Sequence, residues 1–267
     1  MSELSLSHLS LFSGIGGIDL SAEWAGFETV GQCEWADYPT KILEKHWPDV
    51  PRWRDIRTLN GENFYERTGL QTVDIISGGF PCQPFSVAGK QGNKEDDRYL
   101  WPEMLRVISI LRPKWVIGEN VAGLLSIDEG RTFATIIKGL ESANYKVMPI
   151  VSTASNYGAS FEGKRVFIIA TSESCGHRRS ASEKLCLLER KLVEGKQERD
   201  SLWGKNERCI IYSIRHQEAR PDCLRSNYGF PDWLDRIKCL GNAVVPQQVY
   251  PILKSIAEIE KAIICEM

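Results

Sequence analysis

One stretch near the N-terminus, HLSLFSGIGGIDLSAEW at residues 8–24, sets the expected architecture. The apolar run His8–Phe12 predicts a short strand, and Ile18–Trp24 has the spacing of a helix. Between them lies a turn with glycines at 14, 16 and 17. Glycines at a strand-to-helix turn let the backbone approach a ligand closely. The stretch therefore predicts the first strand and helix of an α/β sheet, although many tight turns that bind no ligand are also rich in glycine.

Outward from this unit, strand and helix patterns alternate as far as residue 171. Apolar runs predict further strands at 28–33, 73–77, 115–118, 146–152 and 166–171, and helical spacing predicts helices at 100–111, 132–140 and 246–264. Such alternation is typical of an α/β fold with a doubly wound, mostly parallel sheet. Ligands of such sheets bind beyond the carboxyl ends of the strands.

The character of the chain changes after Thr171. Residues 172–225 are polar and contain twelve basic and nine acidic residues, although the whole chain has a net charge of −2. A locally basic segment can contact phosphates while the rest of the protein stays acidic. We expect three units: a main domain at 1–171, a short inserted region at 172–225, and a segment at 226–267 that returns to the main domain.

Composition excludes several other classes of protein. Hydrophobic residues make up 42% and charged residues 25% of the 267 residues, as is usual for a globular protein. No run approaches the roughly 20 apolar residues of a membrane span, and residues 1–10 lack the pattern of a secretory signal. We therefore expect no membrane contact and a cytoplasmic location. The eight cysteines form no CxxC pair, so we expect free thiols and no metal site.

The segment GGFPCQPFS at residues 78–86 places Cys82 directly after a predicted strand. A cysteine between two prolines at a strand end is held rigidly, and its thiolate is a strong nucleophile. Most free cysteines are instead buried and inert. The flanking prolines and glycines favour the reactive interpretation, because an inert core cysteine needs no such control of the backbone.

Two acidic positions also follow predicted strands. Glu34 ends the second strand, where a carboxylate can hold ribose hydroxyls, and the indole of Trp35 can stack on a base. Glu119, in the segment GENV at 118–121, follows the strand at 115–118. A carboxyl group in a closed site can stay protonated and donate a proton. Taken singly, these residues are equally typical of a surface acid, a core tryptophan and a helix cap.

Together the segments FSGIGG (12–17), GGFPCQPFS (78–86), GENV (118–121), GKRVFIIA (163–170) and GNAVVP (241–246) resemble the DNA cytosine-5 methyltransferase family. The resemblance extends from residue 9 to about residue 250. It implies a Rossmann-like fold that uses S-adenosyl-L-methionine as methyl donor and double-stranded DNA as substrate. It also implies that the region 172–225 recognises the target sequence.

The resemblance assigns roles to individual residues. It implies that Cys82 is the nucleophile that attacks carbon 6 of a flipped-out cytosine. Glu119 would then meet the ring nitrogen N3, and Arg165 would neutralise charge on O2. The residues implied in cofactor binding are Phe12, Gly14, Gly16, Gly17, Glu34, Trp35, Asp55, Ile56, Leu100 and Asn242.

Two positions depart from the family pattern. Gly163 stands where the family has an arginine, and Ser10 stands where it often has an aspartate. Loss of one cationic group predicts slow turnover, and a gain when arginine is restored at 163.

Two alternatives stay open at this stage: methylation of cytosine in tRNA, and a catalytically weak relative that only binds DNA. We expect a monomer, with a cognate restriction endonuclease as a candidate partner. Because no code links residues 172–225 to bases, the target sequence is not predicted.

Overall fold

The computed structural model describes residues 5–81, 99–159, 161–173, 179–203 and 243–265, with side chains of the fourth range described to residue 194. Its centre is one sheet of seven strands: β1 (Leu6–Leu11), β2 (Phe27–Cys33), β3 (Arg52–Trp53), β4 (Ile75–Gly78), β5 (Trp115–Val121), β6 (Tyr145–Thr153) and β7 (Lys164–Ser172).

The strand order is β3-β2-β1-β4-β5-β7-β6. Strands β1 to β5 pair in parallel, whereas β7 lies between β5 and β6 and is antiparallel to both. This confirms the predicted doubly wound, mostly parallel α/β sheet. The antiparallel pair has a simple cause, because only residues 154–163 join β6 to β7 and a parallel crossover needs a dozen residues or more.

Seven helices flank the described sheet: α1 (Gly17–Trp24), α2 (Asp37–His46), α3 (Gly61–Thr68), α4 (Trp101–Leu111), α5 (Arg131–Ser142), α6 (Ala181–Trp203) and α7 (Pro246–Cys265). The bounds of α1, α4, α5 and α7 agree with the predicted helices to within two residues. Helices α2 and α3 and strand β3 were not predicted, because their segments are short and polar. Within the described ranges, no helix is long and apolar enough to span a membrane.

Both faces of the sheet are covered, which explains the continuous apolar runs in its central strands. Val116 and Ile117 are consecutive in β5 and both fully buried, but they belong to separate clusters on opposite faces. Val116 packs with the cluster that includes α4 and α5. Ile117 packs with the cluster that includes α1, α6 and α7.

The strand order reverses between β1 and β4, because β2 and β3 lie on one side of β1 and β4 and β5 lie on the other. This reversal brings three loops together. Leu11 at the end of β1 pairs with Gly78 of β4, and Gly78 pairs with Gly118 of β5. The loops that follow β1, β4 and β5 therefore open on one edge of the sheet. Strand β7 runs the other way, so Arg165 near its start pairs with Val121 at the end of β5.

Helix α6 lies within the range predicted as an inserted region, but its first turns pack in the core. Ala181, Lys184 and Leu188 are buried, and Leu188 belongs to the same cluster as α7. The ammonium Nζ of Lys184 lies 3.0 Å from Oε1 of Glu260 in α7. These first turns of α6 therefore pack as part of the main domain.

Candidate active site

A cavity of about 820 Å³ opens at the edge where the strand ends meet. It is lined by nine of the residues implied by the resemblance: Phe12, Gly14, Gly17, Glu34, Trp35, Asp55, Ile56, Leu100 and Glu119. Gly16 and Arg165 do not line the cavity. Cys82 and Asn242 lie outside the described residues, but their neighbours Pro81 and Ala243 both line it.

The glycines after β1 have different roles. Gly14 adopts φ +55°, and a Cβ there would meet nothing within 4 Å, so it leaves open space at the cavity. Gly16 adopts φ +86°, and a Cβ would lie 2.5 Å from Cζ3 of Trp47. At Gly17 a Cβ would lie 2.5 Å from the carbonyl oxygen of Val244. Gly16 and Gly17 therefore make room for other parts of the protein as well as for the turn.

Glu34 and Trp35 form one wall of the cavity. The Glu34 carboxylate accepts hydrogen bonds of 2.8 Å from the backbone N–H groups of Gly14 and Ala36. These bonds hold the carboxylate beside the glycine turn. The Trp35 side chain is 66% exposed, which excludes the core-tryptophan interpretation and leaves an indole face free to stack.

Asp55 also lines the cavity and is held as an anion by Arg57. Its Oδ1 accepts from both the backbone N–H and the Nε–H of Arg57 at 3.0 Å. These hydrogen bonds lower the pKa of Asp55. The Arg57 guanidinium also lies 5.9 Å from the ring centre of Trp35. Asp55 is therefore an ionised acceptor at the same end of the cavity as Trp35.

Among the described cysteines, Cys33 lines the cavity. Burial raises the pKa of its thiol to about 12, and the charges of Glu34 and Asp55 add to the shift. Cys33 therefore stays protonated at neutral pH and is not a competing nucleophile.

Glu119 also lines the cavity, and it is buried beside Arg165. Nε of Arg165 lies 3.3 Å from Oε1 of Glu119. That oxygen has no hydrogen-bond partner among the described residues, so the pair is held by charge and not by an aligned hydrogen bond. Burial raises the pKa of Glu119 to about 7, although the charge of Arg165 opposes the shift. At neutral pH this carboxyl group both donates and accepts protons readily.

Asn120 is a residue whose role the sequence interpretation missed, although it lies within the GENV segment. Its Nδ2 donates to the carbonyl oxygen of Phe80 at 2.8 Å, and its Oδ1 accepts from the Val121 backbone N–H at 2.9 Å. Phe80 also packs against Trp101, with 4.9 Å between ring centres. These contacts fix the backbone two residues before Cys82.

The structure contradicts the reasoning behind the expected gain from arginine at position 163. Gly163 adopts φ +49°, and a Cβ there would lie 2.6 Å from Phe161 and 2.8 Å from Ala154. An arginine would be strained and crowded at this position. The departure from the family pattern is therefore built into the backbone.

The cavity fits an adenosyl cofactor on three structural observations. Gly14 leaves open space at the turn after β1, and Trp35 presents an exposed indole. Glu34 and Asp55 place two carboxylates beside that indole. Carboxylates and an aromatic face are the groups that bind ribose and adenine in such sheets.

The sheet and its cavity define an α/β protein of the nucleotide-cofactor-binding class. Within that class, the sequence profile of the C-5 cytosine-specific DNA methylase family matches residues 6–201, and the chain belongs to this family. The match confirms the resemblance noted in the sequence.

Individual relatives agree with this assignment. The Type II methyltransferase M1.HphI of Haemophilus parahaemolyticus is 34% identical over 170 residues, which are 62% of this chain and 46% of that protein. A prophage-encoded protein of E. coli, described as a DNA modification methyltransferase, is 28% identical with a TM-score of 0.55, covering 67% of this chain and 50% of its own. DNMT2 of Spodoptera frugiperda shares the fold at 21% identity, with a TM-score of 0.53 and coverage of 66% and 52%. The chain thus spans about half the length of these relatives.

Proposed function

We propose that this protein is a DNA (cytosine-5)-methyltransferase. It transfers a methyl group from S-adenosyl-L-methionine to carbon 5 of a flipped-out cytosine in a duplex site, through a covalent bond to Cys82. The observation that carries the proposal is the buried carboxyl of Glu119 at the cavity, with Nε of Arg165 3.3 Å from its Oε1. The loop that leads to Cys82 is anchored beside it through Asn120.

Each residue then has a task that its surroundings support. Glu119, with a pKa near 7, donates a hydrogen bond or a proton to ring nitrogen N3. Arg165 neutralises negative charge that develops on O2. Both effects make carbon 6 more open to attack by the Cys82 thiolate, because they favour the electron-rich adduct. The base must leave the duplex stack before any of these contacts form.

The cofactor would lie along the wall formed by Glu34, Trp35 and Asp55. When bound, S-adenosyl-L-methionine supplies an electrophilic methyl group. Glu34 would hold the ribose hydroxyls, Trp35 would stack on adenine, and Asp55 would accept from the exocyclic amine. Asn242 belongs to the same proposal, supported by the position of Ala243 at the cavity.

DNA is favoured over tRNA as the substrate by the family description and by the relatives' names. Recognition of the target sequence is assigned to the basic part of residues 172–225 that follows the packed turns of α6. A monomeric state, a cytoplasmic location and a cognate restriction endonuclease remain parts of the proposal.

The experiment is methyl transfer from radiolabelled S-adenosyl-L-methionine to duplex DNA and to tRNA, by the parent and by Cys82→Ala. We expect label in DNA with the parent and none with Cys82→Ala, while calorimetry finds cofactor binding unchanged. Cys186→Ala is the matched control, because Cys186 is an exposed free thiol far along the chain. Label in tRNA alone would favour the alternative substrate. Binding of DNA without any transfer would favour the catalytically weak relative.

The assignment of the cofactor wall is tested separately. Trp35→Ala removes the exposed stacking face, and a base stacked on an aromatic gains roughly 1–3 kcal/mol. We expect adenosylmethionine to bind about five- to tenfold more weakly by calorimetry, near the low end of that range. Trp24→Ala is the control, since Trp24 is exposed on α1 and does not line the cavity. Equal affinities of the two variants would remove Trp35 from the site.

A further inference from the structure

Helix α7 reaches the loop before Arg165 through one buried side chain, Gln248. Its amide Nε2 donates to the carbonyl oxygen of Ser152 at 2.8 Å and to that of Gly163 at 3.1 Å. One amide nitrogen has two N–H groups, so these two bonds use both of them. The side chain is almost fully buried, which makes both bonds costly to lose.

The two carbonyls lie at the end of the β6–β7 pair where residues 154–163 connect the strands. Ser152 pairs with Arg165 in the strand register, and the Ala154 backbone N–H also donates to the Gly163 carbonyl oxygen at 3.3 Å. Gly163 itself has a left-handed backbone with φ +49°. Gln248 therefore binds both the end of β6 and the residue before β7, close to Arg165.

The same segment of chain also touches the cofactor side of the site. The carbonyl of Val244 packs directly against Gly17, and Ala243 and Val244 line the cavity. The carbonyl of Pro246 accepts from the Ser21 hydroxyl at 3.1 Å. Residues 243–248 thus run from the glycine turn to the Arg165 loop with described contacts at both ends.

We propose that Gln248 is a positioning residue that holds Arg165 in place against Glu119 by fixing the Gly163 and Ser152 carbonyls. The proposal rests on the proposed function only for its catalytic consequence. Its structural part concerns the distance between two side chains of this protein and needs no substrate.

The pairing of Arg165 with Glu119 offers a direct readout. Among the described residues, Arg165 supplies the charge that acts on the Glu119 carboxyl, and this charge lowers its pKa against the effect of burial. An opposite charge at this range lowers a carboxyl pKa by about 1–3 units. If Arg165 moves away, the titration midpoint of Glu119 must therefore rise.

The experiment follows the Glu119 carboxyl by carbon-13 NMR in protein labelled at glutamate, with the signal assigned by its loss in Glu119→Gln. Gln248→Met keeps the length of the side chain and removes both donors. We expect its Glu119 midpoint to rise by about 0.5–1 pH unit, and that of Arg165→Met to rise by about 1 unit or more. Gln247→Met is the matched control, because Gln247 is the exposed neighbour on the same helix, and its midpoint should equal the parent's.

A double variant separates positioning from general loosening of the core. If Gln248 acts through Arg165, then Gln248→Met moves the midpoint no further in the Arg165→Met background. A full additional shift there, or a midpoint in Gln248→Met equal to that of Gln247→Met, would overturn the proposal. Should Gln248→Met not fold, Gln248→Asn, with its amide one methylene shorter, must show a shift in the same direction, and no shift would equally overturn it.

The rate of methylation provides a second test of the positioning role. In single-turnover methylation of duplex DNA, Gln248→Met should be about tenfold slower, with cofactor affinity within twofold of the parent. If the NMR midpoints shift as expected but the parent methylates no DNA, the positioning role stands and the proposed function fails. If the parent is active and the midpoints do not respond to Gln248→Met, the positioning role fails alone.

Discussion

At the scale of single residues, burial raises the pKa of carboxyl groups outside the cavity as well as at it. Asp19 is fully buried in α1, where it accepts hydrogen bonds from the Ser10 hydroxyl at 2.9 Å and from the Gln32 amide at 2.8 Å. Burial raises its pKa to about 6, because these bonds offset only part of the desolvation. Ser10 is the position where the resemblance implies an aspartate. In this chain the Ser10 hydroxyl donates to the carboxylate of Asp19 in α1.

This environment predicts a pH-dependent stability. The pKa of Asp19 rises from 3.8 to about 6 on folding, so its contribution is fully favourable below pH 3.8 and is lost as the pH rises through 6. Asp19→Asn should raise the free energy of unfolding at pH 7.5 by up to about 3 kcal/mol, since the Ser10 hydroxyl can reverse to accept from the new amide. Urea denaturation at pH 4 and pH 7.5 measures this. The exposed Asp49→Asn serves as control, and an equal effect of Asp19→Asn at both pH values would contradict the prediction.

Gly163 shows how backbone conformation can decide a side-chain identity. Gly163→Arg places a Cβ against Phe161 and Ala154 in a left-handed conformation. We expect it to lower the free energy of unfolding by about 1–3 kcal/mol and to leave turnover unimproved. Glu162→Arg places an arginine at the neighbouring exposed position, where φ is negative, and should change stability by less. Faster turnover of Gly163→Arg with unchanged stability would show that the loop adapts.

At the scale of elements, a buried ion pair joins α6 to α7. Lys184 and Glu260 are both fully or almost fully buried, and the Trp115 indole N–H also donates to Oε1 of Glu260 at 2.8 Å. The contacts link two helices to the first residue of β5. A pair of this kind favours one arrangement of the helices, because any shift leaves a charge buried without a partner.

The same two helices carry a matched exposed pair, Lys191 with Glu258. Lys184→Met should lower the free energy of unfolding by about 3 kcal/mol, because the buried Glu260 then keeps only the Lys114 ammonium, 3.9 Å from its Oε2. Lys191→Met should cost less than about 1 kcal/mol. Adding Glu260→Gln to Lys184→Met should recover part of the loss. Denaturant titration of the four proteins checks this, and equal losses from the two lysines would refute the role of burial.

At the scale of the whole molecule, we predict that residues at the edge of the sheet carry out methyl transfer. We predict that the inserted region recognises the DNA sequence. Because α6 packs in the core through Leu188, an exchange of recognition regions between relatives must leave that part of the helix in place. We expect a chimera with residues 204–225 taken from a relative to methylate the relative's site at a comparable rate. Bisulfite sequencing of DNA from expressing cells identifies the site. Methylation of the original site by the chimera would place recognition elsewhere in the chain.

The sequence by itself determined the class of fold and most of the site's membership. Apolar runs of four to nine residues indicate buried strands when they are separated by glycine turns and by segments with the helical period of 3.6 residues. For that reason β1, β5 and β7 lie where they were predicted. The positions of Glu34 and Trp35 at the cavity followed in the same way, since strand ends in a doubly wound sheet share one edge.

Only the tertiary structure decided how these residues meet. Glu119 and Arg165 are 46 positions apart, and they face each other because β7 is inserted antiparallel beside β5, which no local pattern encodes. The fit of Gly17 against Val244 and the clamp of Gln248 on Gly163 likewise join segments more than 80 residues apart. Local sequence patterns set φ, ψ and burial along one element, whereas such contacts depend on strand order and helix docking. These long-range contacts therefore form only when the strands and helices have assembled.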